Sequence, residues 1–95
     1  PKRVKVGGYT YQIKRKNKPF VSDDNNAVCE GHHSFLNQVI KVTKTGSKEF
    51  QETIFLHELT HAIISVYCGL DYQNEEFVES FSKGLYQVLN ENEIF

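Results

Sequence analysis

The segment H-E-L-T-H, which runs from His57 to His61, constrains this chain more than any other feature. It fits the pattern H-E-x-x-H, and the apolar spacing of residues 50–67 around it is typical of a helix. Residues four apart lie on one helix face, one turn apart, so His57 and His61 can bind one metal ion from the same side. Glu58 then lies beside that ion, where it can take a proton from an attacking water. The sequence therefore predicts one zinc ion, with His57 and His61 as ligands and Glu58 as the catalytic residue.

We expect this helix to span residues 48–68, with Ser47 as its N-cap and Gly69 as its C-terminal cap. Leu70 is expected to make the apolar contact that accompanies such a cap. Apolar side chains recur along the helix at a spacing that favours a stripe facing a core. The predicted stripe and its flanks comprise Leu56, Leu59, Ile63 and Val66, with Phe55, Ala62 and Tyr67 beside them. The two histidines are expected on the opposite side, away from the core and available to a metal ion.

A catalytic zinc site needs a third protein ligand, and no histidine follows His61. Three glutamates, Glu75, Glu76 and Glu79, open a second predicted helix, which either Asp71 or Asn74 can cap. The sequence therefore points to a glutamate of this helix as the third ligand.

The choice among these glutamates depends on how the helices pack. A short connection makes them antiparallel neighbours, so the ligand must lie about 10 Å along the second helix to reach the level of His61. Glu79 fits that level best, whereas Glu75 fits only if the helices cross steeply. We predict Glu79 as the third ligand, with Glu75 as the alternative, and Glu76 on the surface. The glutamate that does not bind the metal can hold a ligand histidine through its other ring nitrogen.

The N-terminal half of the chain has the alternating pattern and turn residues of short strands. Strands are expected at residues 4–6, 9–13, 20–21, 27–30 and 35–42, with a polar loop at residues 22–26. The predicted fold class is α+β: a small antiparallel sheet followed by the H-E-x-x-H helix and the glutamate-bearing helix, in one domain over residues 1–95.

Composition suggests a cellular setting. No apolar run reaches membrane-spanning length, and no signal peptide is visible. Two cysteines, Cys29 and Cys68, are too few for a disulfide framework. We therefore expect a cytoplasmic protein with reduced thiols.

Charge is segregated along the chain. Residues 1–18 carry seven lysines or arginines and no acid, whereas from residue 49 onward nine acids accompany one base, Lys83. A basic segment can bind nucleic acid, but no nucleic-acid motif accompanies this one. We interpret the basic residues as the solvated face of strands, and expect a protein or peptide substrate as partner rather than nucleic acid or a membrane.

His32 and His33 precede the last predicted strand. One of them can line the cleft and stabilise an oxyanion as a hydrogen-bond donor. Histidines in such positions are more often surface residues, and the sequence leaves both interpretations open.

The order of sheet, H-E-x-x-H helix, short turn and glutamate-bearing helix resembles the gluzincin metallopeptidases, and in particular the compact ImmA/IrrE-type metallopeptidases of phages and mobile elements. The residues that carry the resemblance are 53–63 and 75–86, within residues 35–90. The resemblance implies zinc at His57 and His61, a glutamate ligand on the second helix, and Glu58 as the base. It also implies a specific intracellular substrate, such as a repressor-type protein or another phage or host regulator.

Two functions follow from these patterns. The first is a zinc endopeptidase that binds its substrate as an extra strand along the sheet edge, for which residues 35–42 are the expected edge. The second is a catalytically silent zinc-fold protein that acts by docking on a partner, for instance as an inhibitor. The presence of Glu58 favours the first, because a site used only for folding needs no base.

Overall fold

The computed structural model describes residues 2–22 and 27–95. The predicted polar loop lies mostly outside these residues, and the fold is α+β as expected. The strands are β1 (Arg3–Val6), β2 (Tyr9–Lys16), β3 (Phe20–Val21), β4 (Val28–Cys29), β5 (Gly31–Ser34) and β6 (Val39–Thr43). The helices are α1 (Lys48–Tyr67) and α2 (Glu75–Glu91), with a 3-10 turn at Leu70–Tyr72 between them.

The main sheet is mixed, which corrects the prediction of an antiparallel sheet. Its strand order is β1-β2-β6-β5, and β3 pairs with β4 in a separate two-stranded ribbon. β1 and β2 form an antiparallel hairpin, and β5 pairs antiparallel with β6. β2 and β6 run parallel, with Ile13 opposite Ile40. The parallel pair arises because the chain makes β3, β4 and β5 before it returns beside β2.

The predicted strand at residues 35–42 is wrong in its first half. Residues 35–38 form the turn that joins β5 to β6, and Gln38 has a positive φ of 52° that an extended strand does not tolerate. β6 therefore lies inside the sheet, between β2 and β5. The edge of the sheet on this side is β5, not the segment that the sequence suggested.

The core lies between one face of the sheet and α1. Alternation along the strands places Tyr11, Ile13, Ile40 and Val42 on this face, and each is at most 9% exposed. Ala62 of α1 is fully buried against them. α1 contacts β5 and β6 on one side and α2 on the other, so it is the central element of the fold.

This central position corrects the predicted stripe on α1. Phe55, Leu59 and Val66 pack against the core as expected, but Ile63 is 40% exposed. Leu56 instead lies near Tyr86 and Leu89 of α2. Because two sides of α1 are covered, its buried residues include polar ones, and no single apolar stripe describes it.

The helix caps follow the local sequence. The Ser47 hydroxyl accepts a hydrogen bond from the Phe50 backbone N–H at 3.1 Å, and the Asn74 side chain accepts one from Phe77 at 2.9 Å. Gly69, with a φ of 112°, follows the end of α1 as predicted. Leu70 is 85% exposed, so the expected apolar contact at this end is not formed.

α2 covers α1 with a narrow strip of its surface. Val78 and Ser82 are fully buried, whereas the apolar side chains of Phe77, Phe81, Val88 and Leu89 are 43% to 52% exposed. In the described part of the chain, neither helix is long and apolar enough to cross a membrane.

Candidate metal site

Three side chains converge where the start of α2 meets the middle of α1. His57, His61 and Glu75 each place one potential ligand atom within 4.8 Å of the other two, and this is the one such group of three among residues 2–22 and 27–95. A Glu75 oxygen lies 2.7 Å from His57 Nε2, and the other lies 3.2 Å from His61 Nε2. The histidine side chains are 13% and 14% exposed, and that of Glu75 is 73% exposed.

The chemistry of these donors fits zinc. Two imidazole nitrogens and one carboxylate oxygen form a ligand set found at catalytic zinc sites, where a fourth position stays open. The carboxylate already lies between the two Nε2 atoms, so the three donors face one another. This group can hold one metal ion.

The metal group contains Glu75 rather than the predicted Glu79. The prediction assumed that the ligand must lie well along α2 to return to the level of His61. Instead, the 3-10 turn folds the connector back along α1, so that the first residue of α2 already lies beside both histidines. A Glu79 oxygen lies 3.8 Å from Nδ1 of His57, the outer ring nitrogen. Glu75 therefore lies where Glu79 was expected, with both histidines, and Glu79 lies nearest the outer nitrogen of His57.

Gln73 is a residue that the sequence analysis missed. Its Oε1 accepts from His61 Nδ1 at 2.7 Å, and its Nε2 donates to the His61 carbonyl oxygen at 2.9 Å and to Ser65 Oγ at 2.8 Å. The only sequence signal was its place in the connector, two residues before Glu75. Both histidines of the group therefore have a polar neighbour at the ring nitrogen that faces away from the other members.

Glu58 is buried beside the same group and is 9% exposed. Burial raises the pKa of its carboxyl to about 7, with Glu75 and Glu79 adding to the rise and His61 opposing it. A bound cation would lower this pKa, because a nearby positive charge favours the carboxylate. A group that exchanges its proton near neutral pH is suited to act as general base and then general acid.

Gly31 of β5 allows the sheet edge to approach Glu58 closely. A β-carbon at this position would lie 2.6 Å from Ile54 Cγ2 and 2.9 Å from Glu58 Oε2, closer than atoms can pack. Glycine is the residue that lets a backbone come this near a side chain. The missing side chain thus brings the edge strand directly beside the candidate base.

Two clefts meet at the site. One, of about 460 Å³, is lined by the histidines of β5, by His61 and by Gln73. The other, of about 550 Å³, is lined by Phe50, Ile54 and His57. Both share Gly31, Glu58 and Glu75 in their walls. Space therefore extends to both sides of the metal group, as an extended ligand would require.

His33 contacts the motif from β5. Its Nε2 lies 3.0 Å from the hydroxyl of Tyr11, and its ring is nearly parallel to that of His61 at 6.4 Å. Burial, together with the neighbouring His61 and His32, lowers the pKa of His33 to about 4, so its ring is neutral at physiological pH. His32 also lines the cleft. Both histidines thus lie at the cleft, and His33 is held against the motif.

Comparisons with protein-family models, with curated proteins and with solved structures found no match to this chain. The function of this chain is therefore inferred from the residues of the site.

Proposed function

We propose that this chain is a zinc-dependent endopeptidase that hydrolyses a specific protein substrate. The observation that carries the proposal is the buried Glu58 carboxyl, which lies beside the group of His57, His61 and Glu75 and in the wall shared by two clefts. A metal site that served folding alone would not need a titratable, buried carboxyl at this place, since an isolated buried acid costs stability.

His57, His61 and Glu75 would hold the metal, and Glu79 would lie behind His57 at its outer nitrogen. Bound zinc would act as a Lewis acid that polarises the carbonyl under attack and acidifies water. Glu58 would take the proton of the attacking water and later deliver it to the leaving amine. His33 would donate a hydrogen bond to the developing oxyanion from the cleft wall.

The edge strand β5 supports a peptide as substrate. It carries Gly31 beside Glu58 and His33 beside His61, so a strand added along this edge would pass over the site. The clefts on the two sides of Glu58 would then receive the side chains that flank the cleaved bond. The resemblance to the ImmA/IrrE-type family adds the expectation of an intracellular regulatory protein, of the repressor type, as the substrate.

The proposal is tested with Glu58→Gln. This variant keeps the size and burial of the side chain but cannot accept a proton. We expect unchanged zinc binding and a cleavage rate at least about 100-fold below that of the wild type. The substrates to be tested are proteins whose genes lie next to the gene for this chain. Glu76→Gln is the matched control, because it removes an exposed acid of α2 outside the metal group. Cleavage by Glu58→Gln at the wild-type rate would refute the assigned mechanism.

A docking protein that keeps a zinc fold is the second candidate. Phe77 and Phe81 of α2 are 52% and 49% exposed and stack at 5.4 Å, which leaves an apolar area on the surface. This candidate predicts tight binding to a partner without cleavage, and full biological effect in Glu58→Gln. It gives no role to the buried carboxyl.

A further inference from the structure

All the hydrogen-bonding groups of the Gln73 side chain are used on α1. The carboxamide oxygen faces Nδ1 of His61 at 2.7 Å. The carboxamide nitrogen donates one N–H to the His61 carbonyl oxygen at 2.9 Å and the other to Ser65 Oγ at 2.8 Å. A side chain with three contacts of this length has one orientation, and it cannot rotate without breaking all of them.

The backbone decides which end of the carboxamide faces the histidine. The His61 carbonyl oxygen can only accept, so the group 2.9 Å from it must be the NH₂ of Gln73. The oxygen of Gln73 therefore faces Nδ1 of His61, and because an oxygen of this kind only accepts, Nδ1 must carry a proton. A neutral His61 ring then has its lone pair on Nε2, the nitrogen that faces Glu75.

We propose that Gln73 is a positioning residue that fixes the His61 ring with its proton on Nδ1 and its Nε2 lone pair directed at the metal. The inference rests on the proposed metal site, because it assigns Nε2 as the ligand atom. Histidine ligands commonly donate their second ring N–H to an oxygen that sets the tautomer and the ring orientation. Here the oxygen comes from the connector between the helices and not from either helix.

The connector and the first residue of α2 therefore provide the neighbours of both ring nitrogens of His61. Gln73 holds Nδ1, and Glu75, two residues later, lies 3.2 Å from Nε2. Without Gln73, the nearby Glu75 carboxylate would favour a proton on Nε2, the tautomer that cannot bind a metal through this atom. The amide thus opposes an unproductive pairing between two prospective ligands.

The test compares Gln73→Ala, Gln73→Glu and Gln51→Ala. Gln73→Glu keeps an oxygen that accepts from Nδ1 but loses the two donated bonds. Gln51→Ala is the matched control, because the Gln51 amide also donates two hydrogen bonds. Its acceptors are the carbonyl oxygens of Lys44 and Gly46, which lie before α1 and away from the site. Zinc affinity is measured by competition with a chromophoric chelator. The His61 tautomer is read from long-range ¹H–¹⁵N spectra of the zinc-free proteins at about pH 8, where imidazole is neutral.

We expect a wild-type His61 ring protonated on Nδ1, and a shift of the proton toward Nε2 in Gln73→Ala. Zinc affinity should fall by about 10-fold to 100-fold in Gln73→Ala, fall less in Gln73→Glu and stay unchanged in Gln51→Ala. Ser65→Ala, which removes one anchor of the amide, should show a smaller shift in the same direction and serves if Gln73→Ala does not fold.

Two results together would overturn the inference: Gln73→Ala has the same His61 tautomer as the wild type, and its zinc affinity changes by less than about twofold. If Gln73→Ala does not fold, the same two results in Ser65→Ala would overturn it. If the wild type binds no zinc, the proposed metal site fails, and the ring spectra of the zinc-free proteins still show whether Gln73 fixes the tautomer. The two failures are therefore distinguishable.

Discussion

The two helices differ in how much of their surface the rest of the protein covers, and the candidate site is divided between them. α1 is covered by the sheet on one side and by α2 on the other, and its side chains His57 and His61 are 13% and 14% exposed. α2 is covered along one side, and its Glu75 side chain is 73% exposed. Packing therefore fixes two members of the group, while the position of the third depends on how the start of α2 is held.

This difference would give a bound metal ion a structural role. An ion bound by His57, His61 and Glu75 would join a helix inside the fold to one at its surface. Binding free energy at such a site adds to the stability of the folded state.

The largest effect is a complete loss of zinc binding, expected when one of the two histidines of α1 is removed. His57→Ala and His61→Ala should each abolish zinc binding, because two remaining donors do not make a site. Zinc at about 100 times its Kd should raise the free energy of unfolding of the wild type by about 2.7 kcal/mol and leave the variants unchanged. Urea unfolding with and without zinc measures this. An equal rise in all three proteins would show that the ion binds elsewhere.

The second effect concerns the buried acid of α1. The pKa of Glu58 is about 7 in the folded protein against an ordinary value of 4.5, so the folded state holds this proton more tightly than the unfolded state. Zinc-free protein should therefore lose stability as pH rises from about 4.5 to 7, by up to about 3 kcal/mol, with no further loss from this group above pH 7.

Glu58→Gln removes the titrating group and should flatten this part of the pH profile. The measurement is urea unfolding of both zinc-free proteins between pH 4.5 and pH 8. Identical slopes in the two proteins would mean that Glu58 is not held in a desolvated place beside β5.

The smallest effects are expected from substitutions on the two sides of α2, one buried and one exposed. Val78 is fully buried, and Val78→Ala should lower the free energy of unfolding by about 2 kcal/mol, from lost burial and the cavity left behind. Phe81 is 49% exposed, and Phe81→Ala should cost less than about 1 kcal/mol despite the larger side chain. A greater loss for Phe81→Ala would indicate that the outer side of α2 is covered in solution, which sedimentation would reveal as self-association.

Local signals in the sequence predicted the helices well. Ser47 and Asn74 cap α1 and α2 through hydrogen bonds to residues three positions later, which the sequence suggests directly. Strand patterns likewise predicted strands at residues 4–6 and 9–13, which lie within β1 and β2. Features set within a few residues of one another could therefore be predicted.

Features that depend on packing between segments far apart in the chain could not be predicted from the sequence. The parallel pairing of β2 with β6 joins segments far apart in the chain, and no local pattern specifies it. The buried side of α1 was misjudged because α2 covers a second face. Glu75 replaced Glu79 in the metal group because the connector folds back along α1, where Gln73 fastens it. The motif predicted that His57 and His61 lie together on one face of α1, and the tertiary fold determined the third member of their group.

The central claim is that one zinc ion binds His57, His61 and Glu75. The most direct measurement is the zinc affinity of Glu75→Gln beside that of Glu79→Gln, each at one ion per chain. The account predicts a loss of at least about 100-fold for Glu75→Gln, which lacks a ligand, and of about tenfold or less for Glu79→Gln, which loses a neighbour of His57. A greater loss in Glu79→Gln, or no loss in Glu75→Gln, would contradict it.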